Sequence, residues 1–186
     1  ASAVMRVLIV SQYYTPDITA AAFRIAETAE QLSAWGHEVA VVTAEPHRAQ
    51  AANTEAAGAK AANAGHEAFE QNAPSVYRVP VTPLEGGGLR GYLRHYFSFV
   101  LRARKAGMGV IRGGFLPDVV WTSSPPLFVG LVGPALRRRA RRAGNPDARF
   151  ALDVRDIWPD TAVAAGQISA EGRAYRVGRR LERWIY

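Results

Sequence analysis

The feature that most constrains the fold is a strand, helix, strand pattern within the first 43 residues. A short apolar, β-branched run at residues 5–10 is typical of a strand buried on both faces, and a similar run occupies residues 38–43. Between them lies an amphipathic stretch from about residue 20 to residue 35, with Thr19 placed to cap it and Gly36 placed to end it. Because a helix joins the two strands, they are expected to be parallel, with a right-handed crossover.

The same alternation of strands and helices continues along the chain, apart from residues 45–74. That segment is rich in Ala, Asn, Gly and Glu, with Phe69 as its one large apolar side chain, which predicts a mobile loop. Further strands are predicted at 75–79, 117–122 and 149–154, and further helices at about 89–111, 126–142 and 169–186. The order predicts an α/β fold, a Rossmann-like doubly wound parallel sheet.

The composition excludes several classes of site. The chain has no cysteine, which rules out disulfides, thiolate metal sites and cysteine nucleophiles. Its 4 histidines are scattered without ligand spacing, so no metal site is expected. No apolar run approaches the roughly 20 residues that span a bilayer. The expectation is therefore a cytoplasmic domain.

Positive charge is concentrated in one part of the chain. The whole chain has a formal net charge of +7, and residues 89–142 carry 11 Arg or Lys side chains against one acid, Asp118. Such a segment favours anionic neighbours, whether phosphate, lipid headgroups or nucleic acid. A solvated arginine-rich face without a partner is the alternative interpretation.

Three loops are expected at the carboxyl ends of parallel strands, where sheets of this class bind ligands. They are residues 11–19, 122–126 and 155–160, and the first and last are predicted to converge at one edge of the sheet. The candidate binding residues of the first loop are Tyr13, Tyr14, Pro16, Asp17 and Thr19. They directly precede a helix N-terminus, which favours an anion. The alternative is a proline-containing connection whose tyrosines only cover the sheet end.

The other two loops contribute hydroxyl groups and a charged cluster. Ser123 and Ser124 present hydroxyls at the end of a strand, although helix capping alone also explains them. Asp153 ends an apolar strand and is followed by Arg155 and Asp156. An arginine–carboxylate pair at this position is able to orient a sugar hydroxyl or a phosphate. A structural ion pair between Arg155 and Asp153 is the alternative.

One glycine motif has the wrong context for a dinucleotide site. Residues 86–91, GGGLRG, match G-x-G-x-x-G, but Pro80 and Pro83 separate them from the preceding strand. The dinucleotide fingerprint requires its glycine turn directly after a strand, so we interpret this run as a hinge before a helix. The sequence also lacks a Walker loop, a G-x-S-x-G elbow and a D-x-D pair, so no cofactor is expected.

Four segments in order resemble the N-terminal half of bacterial glycosyltransferase family 4 enzymes. They are RVLIVSQYYTPD at 6–17, LSAWGHEVAVVT at 32–43, DVVWTSSPPLF at 118–128 and DVRDIWPD at 153–160. The likeness is closest to the fucosamine-type transferases of O-antigen and capsule assembly. The ending LERWIY at 181–186 resembles the helix that leads toward the interdomain linker of that family.

The resemblance implies a GT-B architecture, in which two Rossmann-like lobes face each other across the active site. Residues 1–186 would be the N-terminal lobe, which holds the acceptor, and the chain would end before the C-terminal lobe, which binds most of the nucleotide-sugar donor. The fragment alone is therefore expected to be inactive. The family retains anomeric configuration without a metal, and the departing diphosphate is thought to help remove the acceptor proton.

The resemblance also implies roles for individual residues. The loop at 13–19 would border the acceptor and the diphosphate. Asp156 would lie near the transferred sugar as the candidate catalytic residue, and Arg155 and Trp158 would shape the wall beside it. No role as an obligatory protein base follows for any of them.

Acceptors in this family are commonly lipid-linked, which implies a peripheral enzyme at the inner face of the plasma membrane. The residues expected to face an anionic membrane surface are Arg90, Tyr92, Arg94, Tyr96, Phe97 and Arg102. The alternative is that the apolar stripe of this helix packs on the sheet and only its arginines are exposed.

A non-catalytic Rossmann-like module that binds a membrane surface or nucleic acid through residues 89–142 is the competing function. The segment contains no recognisable nucleic-acid-binding motif, so no nucleic-acid partner is expected.

Overall fold

The computed structural model describes residues 3–46, 73–84, 89–155, 159–164, 166 and 168–185. The strands are β1 (Arg6–Ser11), β2 (Glu38–Ala44), β3 (Ser75–Val79), β4 (Val119–Ser123) and β5 (Arg149–Asp153). The helices are α1 (Ala20–Ala34), α2 (Leu89–Arg112), α3 (Val132–Arg142), α4 (Asp160–Ala164) and α5 (Arg173–Ile185), with a 3₁₀ helix at Leu127–Leu131. Most of the predicted mobile loop, residues 47–72, lies outside the described residues.

The five strands form one parallel sheet in the order β3-β2-β1-β4-β5. This is the strand order of a Rossmann-like lobe, and the predicted fold class is confirmed. The order reverses between β1 and β4, and it is at such a reversal that open parallel sheets bind their ligands. At the carboxyl ends of the central strands, Ser11 lies beside Ser123, and Ser123 lies beside Asp153.

The centre of the sheet is covered on both faces, and successive side chains of β1 point toward opposite faces. Ile9 packs with Ile25 of α1 on one face. Leu8 packs on the other face in a larger cluster that includes Phe99 of α2 and Leu136 of α3. This covering explains why β1 and β2 are almost continuously apolar, whereas β3 at the edge of the sheet is mostly exposed.

The predicted ends of α1 are confirmed. The Thr19 hydroxyl accepts a hydrogen bond from the Ala22 N–H at 3.1 Å, as an N-cap should. At the other end Gly36 adopts φ +85°, a left-handed conformation that a residue with a Cβ rarely adopts.

Three features after residue 122 differ from the sequence prediction. The helix predicted from residue 126 begins as the 3₁₀ turn and becomes α-helical only at Val132. The short helix α4 has no counterpart in the sequence prediction, which assigns no element between the polar loop at 155–160 and Ser169. The final helix begins at Arg173 rather than near Ser169, because the Gly172 N–H closes a turn onto the Ser169 carbonyl at 3.0 Å.

No helix among the described ranges is long and apolar enough to cross a bilayer.

Candidate functional site at the carboxyl edge of the sheet

The loop that follows β1 is folded tightly against the end of the sheet. The Ser11 hydroxyl donates to the Tyr13 carbonyl at 2.9 Å, and the Asp17 N–H donates to the Tyr14 carbonyl at 3.1 Å. Tyr13, Tyr14 and Asp17 are buried, whereas Pro16 is exposed. The tyrosines therefore cover the sheet end, as the alternative interpretation of this loop expected.

A residue of β3 also forms a hydrogen bond with this loop. The Arg78 guanidinium donates to the Thr15 carbonyl at 2.6 Å. Burial raises the pKa of the Tyr14 hydroxyl to about 12, with the negative charge of Glu30 adding to the rise and the positive charge of Arg78 opposing it. The Tyr14 hydroxyl is therefore a neutral group near pH 7.

A carboxylate from β5 organises the neighbouring part of the edge. The Ser123 hydroxyl donates to Asp153 Oδ2 at 2.9 Å, and Arg155 Nε lies 2.8 Å from Asp153 Oδ1. The Ser124 hydroxyl accepts from the Arg155 N–H at 2.7 Å. The predicted structural ion pair between Arg155 and Asp153 is confirmed, and both serines are hydrogen-bonded to this cluster rather than capping a helix.

Arg24 is a member of this cluster that the sequence analysis missed. Its Nη2 donates to the Ser123 hydroxyl at 3.2 Å and lies 3.8 Å from Asp153 Oδ2. It is the one basic residue of α1, in the turn after the Thr19 cap, and that isolation is the available signal in the sequence. Its reach from α1 to the ends of β4 and β5 depends on strand order, which the sequence does not state.

A second polar network lies beneath the edge, on the face of the sheet covered by α2. His95 Nδ1 lies 2.7 Å from the Thr82 carbonyl, to which it donates, so its Nε2 accepts from the Gln12 amide at 2.7 Å. This arrangement requires the neutral imidazole with its proton on Nδ1. Both Gln12 and His95 are buried, and sequence reasoning assigned neither of them a role.

The structure brings most of the predicted edge residues together. The expected convergence of the first and third loops is confirmed for their described parts, because β1, β4 and β5 end side by side and Arg24 joins α1 to Asp153. Asp156 and Trp158 lie outside the described residues. Among the residues that the structure describes, no group of three or more His, Asp or Glu side chains could hold a metal ion.

The residues expected to face a membrane lie on α2, the helix whose His95 contacts Gln12 at the end of β1. Arg90, Arg94 and Arg102 are exposed, and the Arg102 guanidinium also donates to the Pro80 carbonyl at 2.8 Å. Tyr92 and Tyr96 are half-buried. Their rings are 6.2 Å apart, and the Tyr96 ring is 6.5 Å from that of Phe128 in the core.

Phe97 and Leu101 are the more accessible apolar side chains of α2. Phe97 is 39% exposed, although its ring is 4.8 Å from that of Phe128. Leu101 is 64% exposed. Part of the apolar stripe thus packs on the core, and part remains beside the arginines.

Comparison with known proteins relates this chain to a family. The Glycosyl transferase 4-like domain matches residues 19–186. The putative colanic acid biosynthesis glycosyl transferase WcaI of Escherichia coli (strain K12) is 28% identical over 176 residues, which is 94% of this chain and 40% of that protein. The C-terminal domain of a hydrogenase from Pyrococcus furiosus superimposes with a TM-score of 0.46 and 14% identity, over 80% of this chain and 90% of that chain. The family match spans nearly the whole chain, and the chain belongs to the glycosyl transferase 4-like family.

Proposed function

We propose that this chain is the acceptor-side lobe of a glycosyltransferase that moves a sugar from a nucleotide-sugar to a glycan acceptor during surface polysaccharide synthesis. The observation that carries the proposal is the family match over residues 19–186, on a lobe whose polar side chains gather where the strand order reverses between β1 and β4. The chain spans 40% of the length of WcaI, so the activity of a whole enzyme is part of the proposal.

The geometry of the edge suits the recognition of a polyhydroxylated acceptor. The loop at 11–19 is held by hydrogen bonds from Arg78 and Ser11, so its backbone is preorganised. The ion pair of Asp153 with Arg155 lies beside it, and carboxylate and guanidinium groups are common partners of sugar hydroxyls and phosphates. A fixed edge of this kind lowers the ordering cost of binding.

We extend the proposal to the second lobe and the reaction. The donor would bind mainly to a C-terminal lobe outside this chain, in a GT-B arrangement that retains anomeric configuration without a metal or other cofactor. Asp156 and Trp158 would face the transferred sugar. The name of WcaI supports polysaccharide synthesis, and a fucosamine-type donor for O-antigen or capsule assembly is the finer proposal.

The test is sugar transfer by the full product of the gene and by the 186-residue chain, each mixed with membranes from cells that lack the gene. Radiolabelled nucleotide-sugars are supplied singly, and label in the lipid extract is measured. We expect one donor to be used by the full gene product, and little transfer by the chain alone. Absence of transfer from every nucleotide-sugar by the full gene product would contradict the proposal.

An arginine pair provides the matched control for that assay. Arg155→Gln removes a half-exposed guanidinium group at the proposed acceptor edge, whereas Arg176→Gln removes one from an exposed position on α5. One charged hydrogen bond to substrate is worth about 2 kcal/mol, so Arg155→Gln should lower kcat/KM about thirtyfold. Arg176→Gln should leave kcat/KM unchanged.

We further propose that α2 docks this lobe on an anionic membrane, where a lipid-linked acceptor would be presented. Phe97 and Leu101 offer apolar contact, and Arg90, Arg94 and Arg102 are exposed beside them. Helix α3 packs next to α2 and adds further exposed arginines. Each basic residue near an anionic leaflet contributes about 1 kcal/mol, so several together give salt-sensitive binding.

Vesicle sedimentation tests the docking surface with a control of equal charge. Changing Arg90, Arg94 and Arg102 to Glu should abolish binding to anionic vesicles, whereas changing Arg173, Arg176 and Arg180 to Glu on exposed positions of α5 should not. Equal partitioning of the unaltered chain to anionic and neutral vesicles would contradict electrostatic docking.

The exposed arginines of α2 and α3 also favour a second candidate, a module that binds membranes or nucleic acid without chemistry. It predicts vesicle or oligonucleotide binding by the full gene product with no sugar transfer. The transfer assay therefore separates the two functions.

A further inference from the structure

The cluster around Asp153 contains more positive charge than one carboxylate neutralises. The Asp153 side chain, 17% exposed, lies between Arg24 and Arg155, whose side chains are 30% and 50% exposed. Two guanidinium groups thus share one carboxylate at the ends of β4 and β5. The cluster of these three side chains has a net charge of +1.

Most hydrogen-bond donors of the two guanidinium groups are not used by Asp153. Each guanidinium has five N–H donors. Arg155 contacts Asp153 through Nε, and among the described residues its two Nη atoms have no partner. Arg24 uses Nη2 for Ser123 and Asp153, while its Nε is buried with no partner among the described residues.

The position of these guanidinium groups, where the strand order reverses, also favours a ligand. Arg24 comes from α1, which follows β1, and it contacts Ser123 at the end of β4. It therefore crosses the point where the strand order reverses, the usual ligand crevice of such sheets. An ion pair that served only to hold the loop after β5 would need Arg155 and not Arg24.

We propose that Arg24 and Arg155 together bind a phosphate group of a substrate, with Asp153 and Ser123 holding the two guanidinium groups in place. Guanidinium groups bind the oxygens of phosphate bidentately, and both arginine side chains are partly accessible to solvent. Assignment of that phosphate to a lipid-linked acceptor or to the nucleotide-sugar donor rests on the function proposed above. The shared chemistry is a phosphate ester.

The test is a titration of the 186-residue chain, labelled with ¹⁵N, at constant ionic strength. The probes are geranyl diphosphate, which represents a lipid-linked acceptor, and uridine diphosphate, which represents a donor. The readouts are the Nε–H resonances of Arg24 and Arg155 and the affinity from calorimetry. We expect saturable shifts of both resonances, and the probe that binds tighter identifies the source of the phosphate.

Three variants decide whether the site is specific. Arg24→Gln and Arg155→Gln should each weaken probe binding at least tenfold, since each removes charged hydrogen bonds to the phosphate. Arg176→Gln removes the same charge from an exposed position on α5 and should have no effect. If Arg24→Gln fails to fold, Arg24→Lys keeps the charge without the planar fork, and it should bind more weakly than the unaltered chain.

Equal affinity of the unaltered chain, Arg24→Gln and Arg176→Gln would overturn the proposal, as would shifts that never saturate. This result is separable from failure of the proposed function. Sugar transfer by the full gene product with no effect of Arg24 on phosphate binding would contradict only the phosphate site. Loss of phosphate binding in Arg24→Gln without any sugar transfer would contradict only the glycosyltransferase.

Discussion

The carboxyl edge of the sheet and the outer surface of α2 both carry arginines, but the two regions use them differently. At the edge, Arg24 and Arg155 are fixed by Asp153 and Ser123. On α2, the guanidinium groups of Arg90 and Arg94 are exposed and have no partner among the described residues. A fixed cluster selects one group by geometry, whereas mobile surface charge favours an extended anionic surface.

The two regions are joined by one buried hydrogen-bond network. His95 lies on α2, and it connects Gln12 at the end of β1 to Thr82 before the helix. The Ser98 hydroxyl reinforces this anchor, because it accepts from the Thr82 N–H and donates to the His95 carbonyl. The comparison therefore predicts large stability effects at the edge and its anchor, and small ones on the surface of α2.

The largest effect is expected from Asp153→Ala. The change removes the carboxylate that accepts a hydrogen bond from the Ser123 hydroxyl and pairs with two partly exposed guanidinium groups, so the free energy of unfolding should fall by about 3 kcal/mol. Urea denaturation measures it, with Asp147→Ala at an exposed turn as the control. Equal losses for the two variants would show that the cluster adds nothing to stability.

A smaller loss is expected from His95→Leu. The Gln12 amide and the Thr82 carbonyl would lose their partner in a buried place, which costs about 2 kcal/mol. His37→Leu is the control, because that ring only accepts an exposed hydrogen bond from the Met5 N–H at 3.3 Å. A free energy of unfolding for His95→Leu within about 0.5 kcal/mol of that of the unaltered chain would show that this network does not stabilise the contact between the two regions.

Tyr14 should make the stability of the edge depend on pH in the alkaline range. Its pKa is about 12 in the folded protein against 10.0 ordinarily, so the folded state holds the proton more tightly. Stability should be constant with respect to this group below pH 10 and should fall by about 1 kcal/mol per pH unit between pH 10 and 12. Tyr14→Phe should flatten that part of the profile, and an unchanged slope in this variant would contradict the assignment.

The smallest effect is expected on α2. Changing Arg90 and Arg94 together to Gln should alter the free energy of unfolding by less than about 0.5 kcal/mol, because neither side chain is paired within the described structure. The same urea experiment measures it. A loss above about 1 kcal/mol would show that these arginines belong to the folded framework rather than to a free surface.

The sequence is sufficient to predict the strands of the sheet, but it is not sufficient to predict the side-chain contacts between distant elements. The apolar runs of β1 and β2, the Thr19 cap and the Gly36 stop are local signals, and each has its expected place in the structure. The 3₁₀ turn before α3 and the short helix α4 lacked such a signal, since prolines and polar residues at 123–126 and 155–160 are compatible with several conformations.

The contacts of the candidate site also fall into those that the sequence predicts and those that it does not. The pairing of Arg155 with Asp153 is close in sequence and was predicted, whereas Arg24 reaches Asp153 across 129 positions and depends on the strand order. Gln12 and His95 were missed for a related reason, because their hydrogen bond requires α2 to cover the side of the sheet toward which Gln12 points. Long-range polar contacts follow from topology, and no local pattern in the sequence encodes them.

The central claim is that the carboxyl edge holds the substrate while α2 serves only to bring the lobe to the membrane. The measurement is kcat/KM of the full gene product with its acceptor in anionic vesicles and with the same acceptor dispersed in neutral detergent. Arg155→Gln should lower kcat/KM equally in both conditions, and the triple change of Arg90, Arg94 and Arg102 to Glu should lower it only with vesicles. An unchanged kcat/KM for Arg155→Gln, or an equal loss in detergent for the triple variant, would contradict the account.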